Sequence, residues 1–107
     1  MKPALPLFLL ALAAPAVADD AGSALIASLG QINGIALACQ QPAIASLARS
    51  AVMTIAPKTR DNGETFEQAT NAAFLAQDGV DCPDAVTLNA RLSEARQQLQ
   101  KIYPAAP

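Results

Sequence analysis

Two groups of acidic residues have a spacing that could support chemistry, and the first is a run of three aspartates. Asp78, Asp81 and Asp84 recur at every third position. Carboxylates brought together in this way could hold a calcium ion. Their order does not match the D-x-[DN]-x-[DN]-G loop of calcium-binding proteins, and capping of a following helix explains Asp84. We therefore predict neither a metal site nor a cofactor.

The second acidic group consists of Asp61, Glu64 and Glu67. Paired carboxylates can act as general acid and base where a cleft drives their pKa values apart. A small helical chain has little room for such a cleft, and acids are expected near a helix N-terminus. The chain has no histidine, which excludes His-based triads and His-ligated metal sites. We predict that the protein is not an enzyme, with a carboxylate-based enzyme as the least favoured alternative.

Two cations next to the second acidic group give the chain its best candidate interaction surface. We call this group of charges the bipolar patch, which consists of Lys58, Arg60, Asp61, Glu64 and Glu67. Opposite charges so close together can steer a protein partner, although a solvated loop has the same composition. The net charge of −2 argues against a nucleic-acid partner, which requires a basic face.

The N-terminal residues have the organisation of a secretory signal peptide. Lys2 supplies the positive charge, residues 5–14 are apolar, and Ala16-Val17-Ala18 resembles a cleavage site. The apolar run is shorter than the ~20 residues that a spanning helix needs, which makes a membrane anchor the weaker alternative. We predict that residues 1–18 are removed and that the chain is periplasmic or secreted. We expect no membrane span in residues 19–107.

The two cysteines, Cys39 and Cys82, are predicted to form a disulfide, because an exported chain meets an oxidising compartment. The chain has no C-x-x-C motif, so a redox-active pair is less favoured. Beyond residue 18 the only aromatic residues are Phe66, Phe74 and Tyr103. Such a thin core needs support, and a crosslink over this separation contributes roughly 4 kcal/mol to stability.

Four segments have helical periodicity, and no segment has the alternation of a strand. We predict helices over about 22–40, 42–56, 62–78 and 82–103, followed by a frayed tail. The expected core positions are Leu25, Leu29, Ile32, Ala36 and Cys39 in the first helix; Ile44, Leu47, Ala48, Ala51, Val52 and Ile55 in the second; Phe66, Ala69, Ala73 and Ala76 in the third; and Ala85, Leu88, Leu92, Ala95, Leu99 and Ile102 in the fourth.

A ridge of small residues runs along the first helix. Gly30, Gly34 and Ala38 repeat every four residues, which lets another helix approach closely. We expect this ridge to pack within the chain, with a homodimer face as the alternative.

Several residues outside the main stripes could carry a ligand or a polar network. Met53, Phe66 and Phe74 are interpreted as core residues and not as a ligand cage. The polar side chains of Asn33, Thr70 and Asn71 lie within apolar stretches. They could form a small buried network or simply lie at the edges of the helices.

Short connections make consecutive helices antiparallel, so we predict an all-α, up-down-up-down four-helix bundle in a single domain over residues 19–107. In this topology the end of the first helix and the start of the fourth lie together, where the two cysteines stand. The predicted function is that of a non-catalytic exported protein acting through protein–protein contacts, in an accessory, inhibitory or chaperone-like role. The alternative is a binder of a small apolar ligand between the helices.

Overall fold

The computed structural model describes the backbone of residues 4–105 and the side chains of residues 20–105. It contains four helices: α1 (Ala4–Ala38), α2 (Pro42–Ile55), α3 (Arg60–Ala76) and α4 (Ala85–Ile102). Between residues 4 and 105 the chain forms no strand. The prediction of an all-α four-helix bundle is therefore confirmed. The side chains at the predicted cleavage site, and the last two residues of the predicted tail, lie outside the described residues.

Three helix starts differ from the prediction. Helix α4 begins at Ala85, three residues later than predicted, because Asp84 is its N-cap. The backbone of α1 is helical from Ala4, so the N-terminal apolar segment is continuous with the first bundle helix. Helix α3 begins at Arg60 because Thr59 is its N-cap, and the Thr59 hydroxyl accepts a hydrogen bond from the Asn62 N–H at 3.1 Å. Thr59, and not Asp61, is therefore the cap. Asp61 lies in the first turn, where the helix dipole favours its charge.

Helix α1 lies at the centre of the bundle and contacts the other three helices. Helices α2 and α4 also contact each other, whereas α3 packs against α1 alone. A ring of four helices would instead have placed α3 between α2 and α4. This off-centre arrangement leaves the space between α2 and α3 open.

Contacts near the ends of the helices establish their directions. Gly30 of α1 lies beside Phe66, and Gly34 lies beside Thr70, so α1 and α3 run the same way. The Tyr103 ring, directly after the last residue of α4, covers Gly22 near the N-terminal end of the described part of α1. Helices α1 and α4 are therefore antiparallel, as the up-down-up-down topology requires.

The predicted small-residue ridge packs α1 onto α3 within the chain. A Cβ atom on Gly30 would lie 2.6 Å from the Phe66 carbonyl oxygen and 2.8 Å from the Ala69 Cβ atom. A Cβ atom on Gly34 would lie 2.9 Å from the Ala73 Cβ atom. These distances are shorter than van der Waals contact, so only glycine permits this approach of the two backbones. Ala38, the third member of the ridge, is half-buried.

The buried core is rich in alanine and follows the predicted stripes with five exceptions. Its members are Ile26, Leu29, Ile32, Ala36, Ile44, Ala45, Ala48, Ala51, Ala56, Phe66, Leu88, Leu92, Ala95 and Leu99. The expectation that Leu47, Met53, Phe74, Ala76 and Ala85 are core residues is wrong, because all five are exposed. On α2 the buried residues are Ile44 and three alanines, whereas the larger Leu47 and Met53 are exposed.

The stretch Asp20–Ala38 is long and apolar enough to cross a membrane by length and composition alone. This differs from the expectation that no such stretch follows residue 18. The same test is passed by the core helix of a water-soluble bundle, and this stretch packs against three other helices. The part of α1 before it is an apolar helix of the kind found in signal sequences.

Candidate functional site

An open groove with a volume of about 500 Å³ lies between α2 and α3. We call it the α2–α3 groove. Its floor is formed by α1, through Asn33 and Leu37. Its walls are formed by α2, through Arg49, Val52 and Met53, and by α3, through Phe66, Glu67, Thr70 and neighbouring residues.

The groove exists because α2 and α3 pack against different sides of α1. The two glycines of α1 draw α3 down onto one side of α1. On another side of α1, the alanine face of α2 packs against α1 and α4. Helices α2 and α3 are joined through residues 56–59 but have no contact along their lengths. The gap between α2 and α3 therefore follows from the packing of each helix against α1.

Large apolar side chains remain accessible in the groove. Leu37 is 43% exposed at its floor, and Met53 is 61% exposed on the α2 wall. Phe66 is buried at the base of the α3 wall. Methionine adapts its shape to irregular apolar surfaces, which suits it to contacts with another molecule. The groove therefore offers an apolar surface that the chain itself leaves uncovered.

A small polar cluster lies in the floor of the groove. The Asn33 side-chain amide donates a hydrogen bond to the Thr70 hydroxyl at 3.2 Å, and that hydroxyl donates to the Phe66 carbonyl oxygen at 2.9 Å. Asn33 is only 4% exposed, and its Oδ1 atom has no hydrogen-bond partner. The predicted network therefore exists between Asn33 and Thr70, whereas Asn71 lies exposed at the groove.

The charged residues of the groove stand on opposite walls. Arg49 lies on the α2 wall and Glu67 lies on the α3 wall, and both side chains are exposed. Neither side chain belongs to the ion pair found within residues 20–105, which joins Arg60 to Glu64. The two walls of the groove therefore carry opposite charges.

The bipolar patch is divided between this groove and the start of α3. Arg60 pairs with Glu64 one turn later, at 3.1 Å between Nε and Oε2, and this exposed pair contributes little to stability. Lys58 and Asp61 are also exposed. Of the five residues, Glu67 is the one that lines the groove. The three acids considered for acid–base chemistry are therefore not brought together in it.

The run of aspartates lies around the turn between α3 and α4. The Asp84 carboxylate caps α4 and accepts a hydrogen bond from the Thr87 N–H at 2.7 Å. This hydrogen bond to Thr87 holds the pKa of Asp84 below its usual value. Asp78 and Asp81 are exposed. Among the residues with described side chains, no three His, Cys, Asp or Glu residues are grouped so as to hold a metal ion.

The predicted disulfide is confirmed. Cys39 and Cys82 are bonded, their Cα atoms lie 5.8 Å apart, and they are separated by 43 positions in the sequence. The crosslink ties the end of α1 to the segment that leads into α4. A second hollow at this pole is bordered by Phe74, Leu75 and Val80.

Sequence reasoning missed Leu37, Arg49 and Met53 as lining residues. A signal was present for Leu37 and Met53, because both are apolar residues that lie off the main stripes of their helices. Arg49 carried no such signal, since the groove depends on which face of α2 turns toward α4. No protein-family model, curated protein or solved structure matches the chain.

Proposed function

We propose that this is a non-catalytic exported protein that acts through protein–protein contacts made at the α2–α3 groove. The observation that carries the proposal is the apolar surface of the groove, where the accessible Leu37 and Met53 lie in one hollow with charged residues on its walls. Accessible apolar residues with charged residues at the rim are typical of protein interfaces. An accessory, inhibitory or chaperone-like role agrees with such a surface.

We further propose that the chain is cleaved after Ala18 and is periplasmic or secreted. The apolar N-terminal helix and the disulfide support this proposal. The mass of the chain purified from the cells that make it tests both points. The expected result is a chain found outside the cytoplasm. Its mass should lack residues 1–18 and the two hydrogen atoms lost when the disulfide forms. A full-length mass in the membrane fraction would contradict it.

Site-specific photocrosslinking in the producing cells tests the use of the groove. A photoreactive phenylalanine analogue at position 53 is expected to give one adduct of protein size. The matched control carries the analogue at Val86, which is 81% exposed on α4. Crosslinking there is expected to give no such adduct. Equal labelling at both positions would indicate collisions and would rule out a specific surface.

A second substitution makes the crosslinking result specific. Leu37→Glu places a charge in the floor of the groove at a position that is already 43% exposed, so the fold should tolerate it. Desolvation of this charge by a partner is unfavourable, and the adduct at position 53 should disappear. An adduct that persists in the Leu37→Glu chain would show that the contact lies outside the groove.

One observation also favours a small apolar ligand as a second candidate. The groove volume of about 500 Å³ falls within the range of small-molecule sites. Native mass spectrometry separates the candidates, because a retained ligand adds a small fixed mass to the chain. A ligand-sized increment that is lost in Leu37→Glu would replace the protein-contact proposal.

A further inference from the structure

We infer that the protein received by the α2–α3 groove is a second copy of this chain, related to the first by a two-fold axis that runs parallel to the helices. This inference rests on the proposed function, because it names the partner that docks in the same groove. It is carried by the placement of two opposite charges, Arg49 and Glu67, on the two walls.

The position of Arg49 along the bundle follows from the hairpin between α1 and α2. Arg49 is seven residues after Pro42, where α2 begins, and Gln31 is seven residues before Ala38, where α1 ends. The two helices are antiparallel and have the same rise per residue. Arg49 therefore stands level with Gln31 of the central helix.

The position of Glu67 follows from the contact between α1 and α3. Phe66 lies against Gly30, and these helices run in the same direction. Glu67 therefore also stands level with Gln31. The cation of one wall and the anion of the other face each other at the same height across the groove.

A two-fold axis parallel to the helices uses this arrangement twice. It brings the α2 wall of one copy alongside the α3 wall of the other without changing the height of any residue. Each Arg49 then meets the Glu67 of the other copy, and both ion pairs form together. An interface made of one patch on both subunits must be self-complementary in this way. If both walls carried charges of the same sign, they would instead repel a second copy.

The apolar residues of the groove fit the same arrangement. Met53 is exposed on the α2 wall, and Leu37 is exposed on the floor. With the α2 wall of each copy against the α3 wall of the other, Met53 leaves water in both copies, and Leu37 is enclosed between the two facing floors. The charged pairs set the register of the contact, and the apolar area supplies its driving force.

Charge reversal tests the pairing. The wild-type chain, in the form that cells make, is expected to be a dimer by native mass spectrometry and by analytical ultracentrifugation. Arg49→Glu places two acids at each contact, and Glu67→Arg places two cations there. Each single variant is expected to raise the dimer Kd about tenfold or more, because like charges in register destabilise an interface.

Mixing the two single variants gives the sharpest result. In a dimer of one Arg49→Glu chain with one Glu67→Arg chain, both contacts again join opposite charges. The mixture is therefore expected to form heterodimers with roughly the wild-type affinity, whereas neither variant dimerises well alone. The double variant should likewise dimerise with itself. High salt should weaken the wild-type dimer, since exposed ion pairs are screened.

Matched controls carry the same charge changes on another face. Arg91→Glu and Glu94→Arg alter exposed residues of α4 and should leave the dimer unchanged. Circular dichroism verifies that each variant keeps its helices. A wild-type monomer at the highest soluble concentration overturns the inference. So does a dimer insensitive to Arg49→Glu, or a mixture of single variants that stays monomeric.

These outcomes are distinguishable from a failure of the proposed function. If the groove binds a different protein, the wild-type chain is a monomer while the adduct at position 53 still forms with a mass other than twice that of the chain. If the groove binds no protein, that adduct is absent altogether. A second copy gives an adduct of twice the chain mass that is lost in Arg49→Glu.

Discussion

At the scale of single residues, side chains that accept hydrogen bonds from the backbone set the starts of two helices. Asp84 caps α4 by accepting from the Thr87 N–H, and Thr59 caps α3 by accepting from the Asn62 N–H. Ser, Thr, Asp and Asn are the residue types that best satisfy the free N–H groups of a first turn. The Asp84 cap is also charged, so its contribution depends on pH.

The pKa of Asp84 is lower in the folded chain, because the hydrogen bond from Thr87 favours the charged carboxylate. The cap therefore contributes stability that is fully present above the unfolded pKa and is lost as pH falls through the folded pKa. We predict that Asp84→Asn, which keeps an uncharged cap, lowers the melting temperature at pH 7. This difference should shrink as the pH falls below about 4.

Thermal unfolding followed by circular dichroism over a pH series measures this difference. The control is Asp81→Asn, which removes an exposed carboxylate before the cap. A gap between wild type and Asp84→Asn that stays constant down to pH ~2 would show that the charge of the cap plays no part.

At the scale of helices, the contact between α1 and α3 depends on two glycines that have no room for a side chain. Gly30 and Gly34 each lie against the backbone of α3, whereas Gly63 of α3 has no atom near the position of an added Cβ. Glycine lowers helix stability by up to about 1 kcal/mol relative to alanine. Close packing therefore offsets this loss at positions 30 and 34, and nothing offsets it at position 63.

We predict opposite signs for the same substitution at two positions. Gly34→Ala should destabilise the bundle by about 2 kcal/mol, because the new methyl group forces α3 away from α1. Gly63→Ala should stabilise it by up to about 1 kcal/mol through helix propensity alone. Urea unfolding of both variants measures these changes. Equal effects at the two positions would mean that the close approach of α1 and α3 is not needed.

The helices and most of their buried faces could be predicted because the spacing of Leu88, Leu92 and Leu99 is set by the period of one helix. The burial of alanines in place of Leu47 and Met53 could not, since it depends on how closely α2 approaches two neighbours. Asn33 and Thr70 could be recognised as candidates for a polar network. Their hydrogen bond could not be predicted, because it depends on the contact between α1 and α3. The groove is likewise a property of packing and has no local pattern.

At the scale of the whole molecule, one covalent bond closes the bundle. The Cys39–Cys82 disulfide encloses α2 and α3 in the loop between its ends. Its expected position followed from topology, because an up-down-up-down chain places both cysteines at one pole. The alanine-rich core leaves the bundle dependent on this crosslink, since alanine buries little apolar area.

We predict that replacing both cysteines by serine lowers the free energy of unfolding by roughly 4 kcal/mol, mainly by freeing the unfolded chain. The denaturant m value should rise, because the uncrosslinked chain exposes more surface on unfolding. Urea unfolding of the double variant, beside the reduced wild-type chain, gives both quantities. A loss below about 1 kcal/mol would show that packing alone holds the bundle together.

The contact of Tyr103 with Gly22 determines how the molecule is held by anything attached to its ends. It places the last turn of α4 beside the first turns that follow the N-terminal segment. From there to Cys39, α1 extends for about 25 Å. A tether, a fusion partner or a retained leader is therefore attached at the Tyr103–Gly22 end of the bundle, whichever terminus carries it. The disulfide pole, with Phe74, Leu75 and Val80 around it, points away from the attachment.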